Sequence, residues 1–182
     1  MNRESIARVQ RSHAALTARA VDLPSRFYER LFAADPVVRR LFPKDLTRLR
    51  ALGTTVVSCP RSNRYVGVGD PPLEAFYAMG VKVAFGTDSL ASVRDLNLFN
   101  ELACARQLAP RVPARALIES ATRCGAAALG FGDDFGTIEV GKRGALIAVR
   151  MPVGAGDVEE YLLSGIEPSA ITWLDPETSN AQ

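Results

Sequence analysis

Not one of the fourteen glycines precedes Gly53. Glycine supplies the positive-φ positions that tight turns and helix ends use, so a long stretch without it has few sharp reversals to offer. Residues 1–52 therefore read as wholly helical. The chain beyond Gly53 reads as a turn-rich alternation of strands and helices. The change of texture at residues 43–53 is the best boundary in the sequence and divides a segment 1–43 from a segment 44–182.

Charge is uneven across the same boundary. The whole chain carries 22 basic and 20 acidic side chains, a net charge of +2. Residues 1–50 hold eleven Lys/Arg against five acids, a surplus of 11 − 5 = +6, which leaves 11 − 15 = −4 for the rest. The early arginines are scattered around short helices without a groove-reading motif, so solvated helix faces are expected and nucleic-acid binding is not. No apolar run approaches the roughly 20 residues of a membrane span. The opening Met1-Asn2-Arg3-Glu4 lacks the apolar run of a signal peptide. Cys59, Cys104 and Cys124 are odd in number and lack metal-finger spacing, which points to a reduced, cytoplasmic setting.

In the opening segment Ile6, Val9 and Leu16 recur at helical spacing. Asp22-Leu-Pro24 and Asp35-Pro36 then supply caps and early-turn prolines for two more helices. Arg26-Phe-Tyr-Glu-Arg-Leu-Phe-Ala-Ala-Asp-Pro36 with Leu41-Phe42-Pro43 resembles the first three helices of a bacterial globin of the flavohaemoglobin kind. That resemblance implies that Tyr28 faces the ligand side of a haem and that Phe42 packs on the porphyrin. It also implies an iron-binding histidine on a later helix. The only histidine is His13, in the first helix, where a core packing role is expected. Haem binding is accordingly not expected, and a haem- or oxygen-binding module remains only an alternative.

The second segment has a different rhythm. Asp45 caps a short helix through Leu46, Leu49 and Leu52, and Thr54–Ser58 reads as a buried strand. The polar segment Cys59–Arg64 reads as a loop. Pro72 opens a helix to Gly80, and Val81–Phe85 is a second strand ending in Gly86-Thr-Asp-Ser89. Two strands joined by a helix form a parallel βαβ crossover, and such folds place their chemistry in the loops at the C-terminal strand ends. Helices are expected over Leu96–Leu108, Pro113–Leu129 and Val158–Ser164. Two strands are expected around a glycine turn in Gly136–Val149, and a last one at Ile171–Leu174. Small residues from Ala121 to Ala128 predict that something packs closely on the later part of the second helix.

Residues 45–174 resemble the C-terminal part of the metal-dependent amidohydrolase superfamily, nearest the deaminase branch. The match rests on Cys59-Pro-Arg-Ser-Asn63, Gly86-Thr-Asp-Ser89, Leu98-Phe99 with Glu101-Leu102, Ala121-Thr122 with Gly125-Ala126, and Gly136-Thr-Ile-Glu-Val-Gly-Lys142. The implied fold is α/β: the last two parallel strands and helices of a (β/α)8 barrel plus a small C-terminal β element. A complete barrel takes about 250 residues, more than this chain has. The implied activity is metal-dependent hydrolysis of carbon–nitrogen bonds in a small N-heterocycle or amide, with zinc or iron as cofactor. Asp88 matches the catalytic aspartate that binds the metal; by itself, an aspartate after a strand is a turn or cap residue. Arg61, Ser62 and Asn63 either contact substrate or hydrogen-bond their own backbone. Cys59 is expected to pack at the strand end, and Gly67-Val-Gly69 lacks the further residues of a phosphate or dinucleotide loop.

The chain departs from the family's pattern at the metal. The family's His-x-His pair and two later histidines are missing, and a catalytic zinc takes about three protein ligands. The expected polypeptide is thus an amidohydrolase part joined to a globin-like part near Pro43–Asp45, with an incomplete metal site and no turnover of its own. A non-catalytic fusion that associates through exposed strand edges is the remaining alternative.

Overall fold

A computed structural model of the protein describes residues 46–174, together with Glu4, Arg11, Arg30, Ala33 and Ala34, each helical and exposed. The expected cap Asp45, the join at Pro43–Asp45, and His13, Tyr28 and Phe42 lie outside the described residues.

Helix α1 (Leu46–Ala51) stops at Gly53, whose φ of 64° lets its N–H turn back to the Arg50 carbonyl at 2.9 Å. The β-branched run that follows forms β1 (Thr55–Ser58), paired in parallel with β2 (Lys82–Phe85) from Thr55↔Lys82 to Ser58↔Phe85. The crossover between them holds two helices. One, α3 (Leu73–Ala78), is the expected one. The other corrects an expectation: the polar stretch after β1 is helix α2 (Pro60–Val66), not a loop. Its limits were written in the sequence. Proline at the first helical position needs no N–H partner, and Gly67 adopts φ 72° to direct its N–H to the Asn63 carbonyl.

Strand β2 is clamped, whereas β1, expected from its β-branched run to be buried, has only Ser58 buried. Val83, Ala84 and Phe85 are all buried, whereas Val57 on β1 is 58% exposed. The core gathers Val83 and Phe85 with Leu73 of α3, Leu102 and Ala105 of α4 (Leu98–Leu108), and Leu117 of α5 (Ala114–Ala121). A fully buried leucine is worth roughly 1.5–3 kcal/mol, and three of them, Leu73, Leu102 and Leu117, join the cluster that contains Val83 and Phe85 of β2.

The single helix expected over Pro113–Leu129 is two. Thr122, at φ −119° and ψ −91°, leaves the helical region between α5 and α6 (Arg123–Ala128), and its hydroxyl donates to the Ile118 carbonyl at 2.9 Å. The small residues of α6 do meet a close neighbour, the chain at Gly132 and Gly136. A Cβ on Gly136 would stand 2.9 Å from both the Ala126 Cβ and the Arg123 Cα.

The two strands expected in Gly136–Val149 are one. Residues 137–140 carry no strand, because this stretch is tied to the preceding loop instead. The Lys142 ammonium donates to the Gly132 carbonyl at 2.7 Å, and the Arg143 N–H to the Asp134 carbonyl at 2.9 Å. Strand β3 (Leu146–Val149) pairs antiparallel with β4 (Ile171–Leu174) across α7 (Val158–Leu162). Among the described residues no helix is long and apolar enough to cross a membrane.

Candidate active site

The ends of β1 and β2 lie side by side. The Gly86 N–H donates to the Ser58 carbonyl at 3.0 Å, which carries the pairing just past both strands. A Cβ on Gly86 would sit 3.3 Å from Val57 and 3.4 Å from the Cys59 sulfur, so the two chains touch here. Beyond that point β1 enters α2, and β2 releases Gly86-Thr-Asp-Ser89.

Asp88 is the only non-glycine residue at positive φ among those described, at 62°. Aspartate tolerates this region better than most residues, but the conformation still has to be held by its surroundings. What holds it is hydroxyl chemistry. Ser62 donates to the Asp88 Oδ2 at 2.7 Å, and the Ser92 hydroxyl stands 3.1 Å from the same oxygen and 2.9 Å from the Ser62 hydroxyl. Both serines are buried while Asp88 is exposed. One carboxylate oxygen is thus anchored from inside the fold, and the residue faces outward.

Sequence reasoning placed Arg61, Ser62, Asn63 and Asp88 together, and the structure separates their tasks. Ser62 meets Asp88 directly. Arg61 lines a cavity of about 330 Å³ with Tyr65, Ser92, Val93 and Arg94. Its guanidinium is already committed, forking onto Asp95 with Nη1 at 2.9 Å from Oδ1 and Nη2 at 3.1 Å from Oδ2. Asn63 is half-buried, and its carbonyl ends α2 by accepting from Gly67 and Val68.

Two participants went unnoticed in the sequence, Ser92 and Asp95, and a third, Glu101, was noted there without a role. Ser92 carried a faint signal, four residues beyond Asp88. Asp95 accepts from the Asn97 N–H at 2.9 Å as well as from Arg61. Its burial pulls its pKa upward, but the hydrogen bonds from Arg61, Asn97 and Asn100 prevail and hold the carboxyl below its ordinary range. Glu101 belonged to the resemblance, yet nothing in the sequence disclosed that its side chain is fully buried at 0% exposure. Burial pushes its pKa up, against the opposing N–H and charge of Arg61.

Cys59 fits its packing role. Burial and the carboxylates of Asp88 and Glu101 push its thiol pKa up, the reverse of what activates a nucleophile. For a metal, the donor set does not fit. Among the described residues no group of three or more His, Cys, Asp or Glu could hold an ion, and the chain's one histidine is His13.

The amidohydrolase family model matches residues 26–168, so it begins inside the segment that resembled a globin. Over 112 residues the chain is 46% identical to the 5-methylthioadenosine/S-adenosylhomocysteine deaminase of Halobacterium salinarum, a match covering 58% of this chain and 26% of that protein. It is 39% identical over 112 residues to the aminodeoxyfutalosine deaminase of Deinococcus radiodurans, covering 59% and 27% respectively. Among solved structures, an adenosine deaminase of Xanthomonas campestris with bound zinc aligns with a TM-score of 0.60 and 36% identity, over 65% of this chain and 29% of that one. The guanine deaminase of E. coli, at TM-score 0.61 and 24% identity over 70% and 33%, shares the fold. The chain spans about a quarter of the length of the curated relatives it matches. By sequence and by fold, the chain belongs to the amidohydrolase family.

Proposed function

We propose that this chain supplies the carboxylate side of a hydrolytic deaminase centre acting on a carbon–nitrogen bond of a small N-heterocycle or amide. The observation that carries the reading is Asp88 itself: a strand-end carboxylate in left-handed conformation, anchored through one oxygen by a buried serine, and exposed. Such a group can take a proton from water as the water oxygen bonds to the amino-bearing carbon. It can then return that proton to the nitrogen as the carbon–nitrogen bond breaks. Ser62 fixes the carboxylate's direction; Arg61, although its guanidinium is forked onto Asp95, lines the cavity beside Ser92 from which substrate contacts would come, with Asn63 its near neighbour in α2. The relatives are named as deaminases, and one is described with bound zinc.

A divalent metal, zinc or iron, is what the family implies for generating hydroxide near neutral pH. Asp88 offers one hard oxygen toward it, and the described residues offer no nitrogen donors to complete the set. By itself the chain is therefore expected to hold metal weakly and to release no ammonia. Metal content of the purified chain, combined with ammonia release from adenosine-, guanine- and S-adenosylhomocysteine-type substrates, tests this. Stoichiometric zinc together with turnover that disappears in Asp88→Ala would refute the expected inactivity while upholding the role of Asp88.

A further inference from the structure

Buried carboxylates are rare unless partnered, and Glu101 is among the most deeply buried side chains described. Its Oε2 accepts the backbone N–H of Arg61 at 3.0 Å. Its Oε1 accepts no hydrogen bond and stands 3.7 Å from the Arg61 Nη1. Both oxygens therefore face donors of one residue forty positions earlier in the chain.

That residue is well placed to matter. Arg61 is the second residue of α2, where backbone N–H groups have no partner within the helix, and Cys59 provides no side-chain cap. Glu101 supplies the cap from α4. The next residue is Ser62, whose hydroxyl lies 2.7 Å from Asp88. One peptide unit thus separates the Glu101 contact from the group that orients the carboxylate. The same arginine is tied to α4 a second time, because Asp95 accepts its fork and the N–H of Asn97, and the Asn97 side chain caps α4 by accepting from the Phe99 N–H at 3.0 Å. Two ties from the start of α4 hold the first turn of α2.

From this geometry we infer that Glu101 is a positioning residue, acting through Arg61 and Ser62 to set the orientation of the Asp88 carboxylate. The inference rests on the reading of Asp88 as the reacting group, but its test does not depend on turnover. A carboxylate is required because an amide cannot satisfy both contacts. Glutamine would turn its NH2 either toward the Arg61 N–H or toward the guanidinium, donor against donor.

The test is carbon and nitrogen NMR of the full chain with labelled Asp, Glu and Arg. Ser62→Ala removes the anchor directly and calibrates how far the Asp88 carboxyl-carbon resonance moves. Glu101→Gln is expected to move that resonance in the same direction by at least half as much, with the carboxyl of Asp157, a distant helix cap, unmoved. A folded Glu101→Gln chain whose Asp88 resonance stays at the wild-type position overturns the proposal. Should that variant fail to fold, Glu101→Asp keeps the charge, withdraws it by one methylene, and is read in the same way. In the unaltered chain, a coupling across the hydrogen bond between the Arg61 amide nitrogen and the Glu101 carboxyl carbon is expected, and its absence also overturns the proposal. Loss of the deaminase reading would leave these resonances unchanged, so the two failures are distinct.

Discussion

Three glycines separate the energetic cost of conformation from that of contact. Gly136, Gly141 and Gly156 all lie in the C-terminal third. At Gly136, φ is 95°, and an added Cβ would meet the Ala126 Cβ and the Arg123 Cα at 2.9 Å and the Thr122 carbonyl at 3.2 Å. At Gly141, φ is 91° and nothing stands within 4 Å. Gly156 lies outside the left-handed region and is equally open. Alanine at Gly141 should cost only the left-handed penalty, roughly 1–2 kcal/mol. Alanine at Gly136 should add an overpacking cost of roughly 1–3 kcal/mol, because two of the obstructing atoms are backbone. Alanine at Gly156 should be neutral or stabilise by roughly 0.4–1 kcal/mol through the unfolded chain. Urea denaturation at constant m-value gives the comparison. Midpoints are expected to fall in the order Gly156→Ala, Gly141→Ala, Gly136→Ala. Equal losses at Gly136 and Gly141 would refute the close approach of this loop to α6. The series bears on the site because α6 rests against β2, the strand that delivers Asp88.

Stability should depend on pH through two groups of opposite sign. Asp95, held below its ordinary 3.8, contributes stability that is present above that value and lost as pH falls through its folded-state pKa. Glu101, raised above 4.5, contributes in full below that value and progressively less as pH rises through its folded-state pKa. Denaturation midpoints across pH should therefore fall less as pH rises above 4.5 in Glu101→Gln and fall less as pH drops below 3.8 in Asp95→Asn; a wild-type profile in either variant contradicts the corresponding assignment. The β1–β2 pair should also promote self-association, since the two strands pair only with each other among the described residues and Val57 is 58% exposed. Size-exclusion chromatography is expected to show concentration-dependent association that Val57→Lys weakens, and a compact monomer at every concentration would contradict it.

Local chemistry was legible where it is written in neighbouring residues. The β-branched run at Thr55–Ser58, the strand ending in Gly-Thr-Asp, the crossover between them and the stop at Gly53 all followed from periodicity and from residues with one conformational use. Asp88 and Ser62 were singled out by the resemblance rather than by periodicity; they meet because parallel strands bring their C-terminal ends together. The signal for α2 was present too, proline at its start and glycine at its end, but the polar side chains between them obscured it.

Other features depend on contacts between distant parts of the chain. Residues Leu146–Val149 could have paired with the preceding stretch; the ties of Lys142 and Arg143 to the loop at 132–134 exclude that and leave β4 as the partner. The break at Thr122 coincides with the approach of Gly136, fourteen residues later. Whether Arg61 is free for a substrate, or Glu101 is solvated, depends on which carboxylate or amide the fold sets against it. A sequence states each residue's capacity to donate, accept or bend. Only the packed chain selects the partner, because hydrogen bonds, ion pairs and close approaches are short-ranged and their partners here lie 26 to 40 residues away.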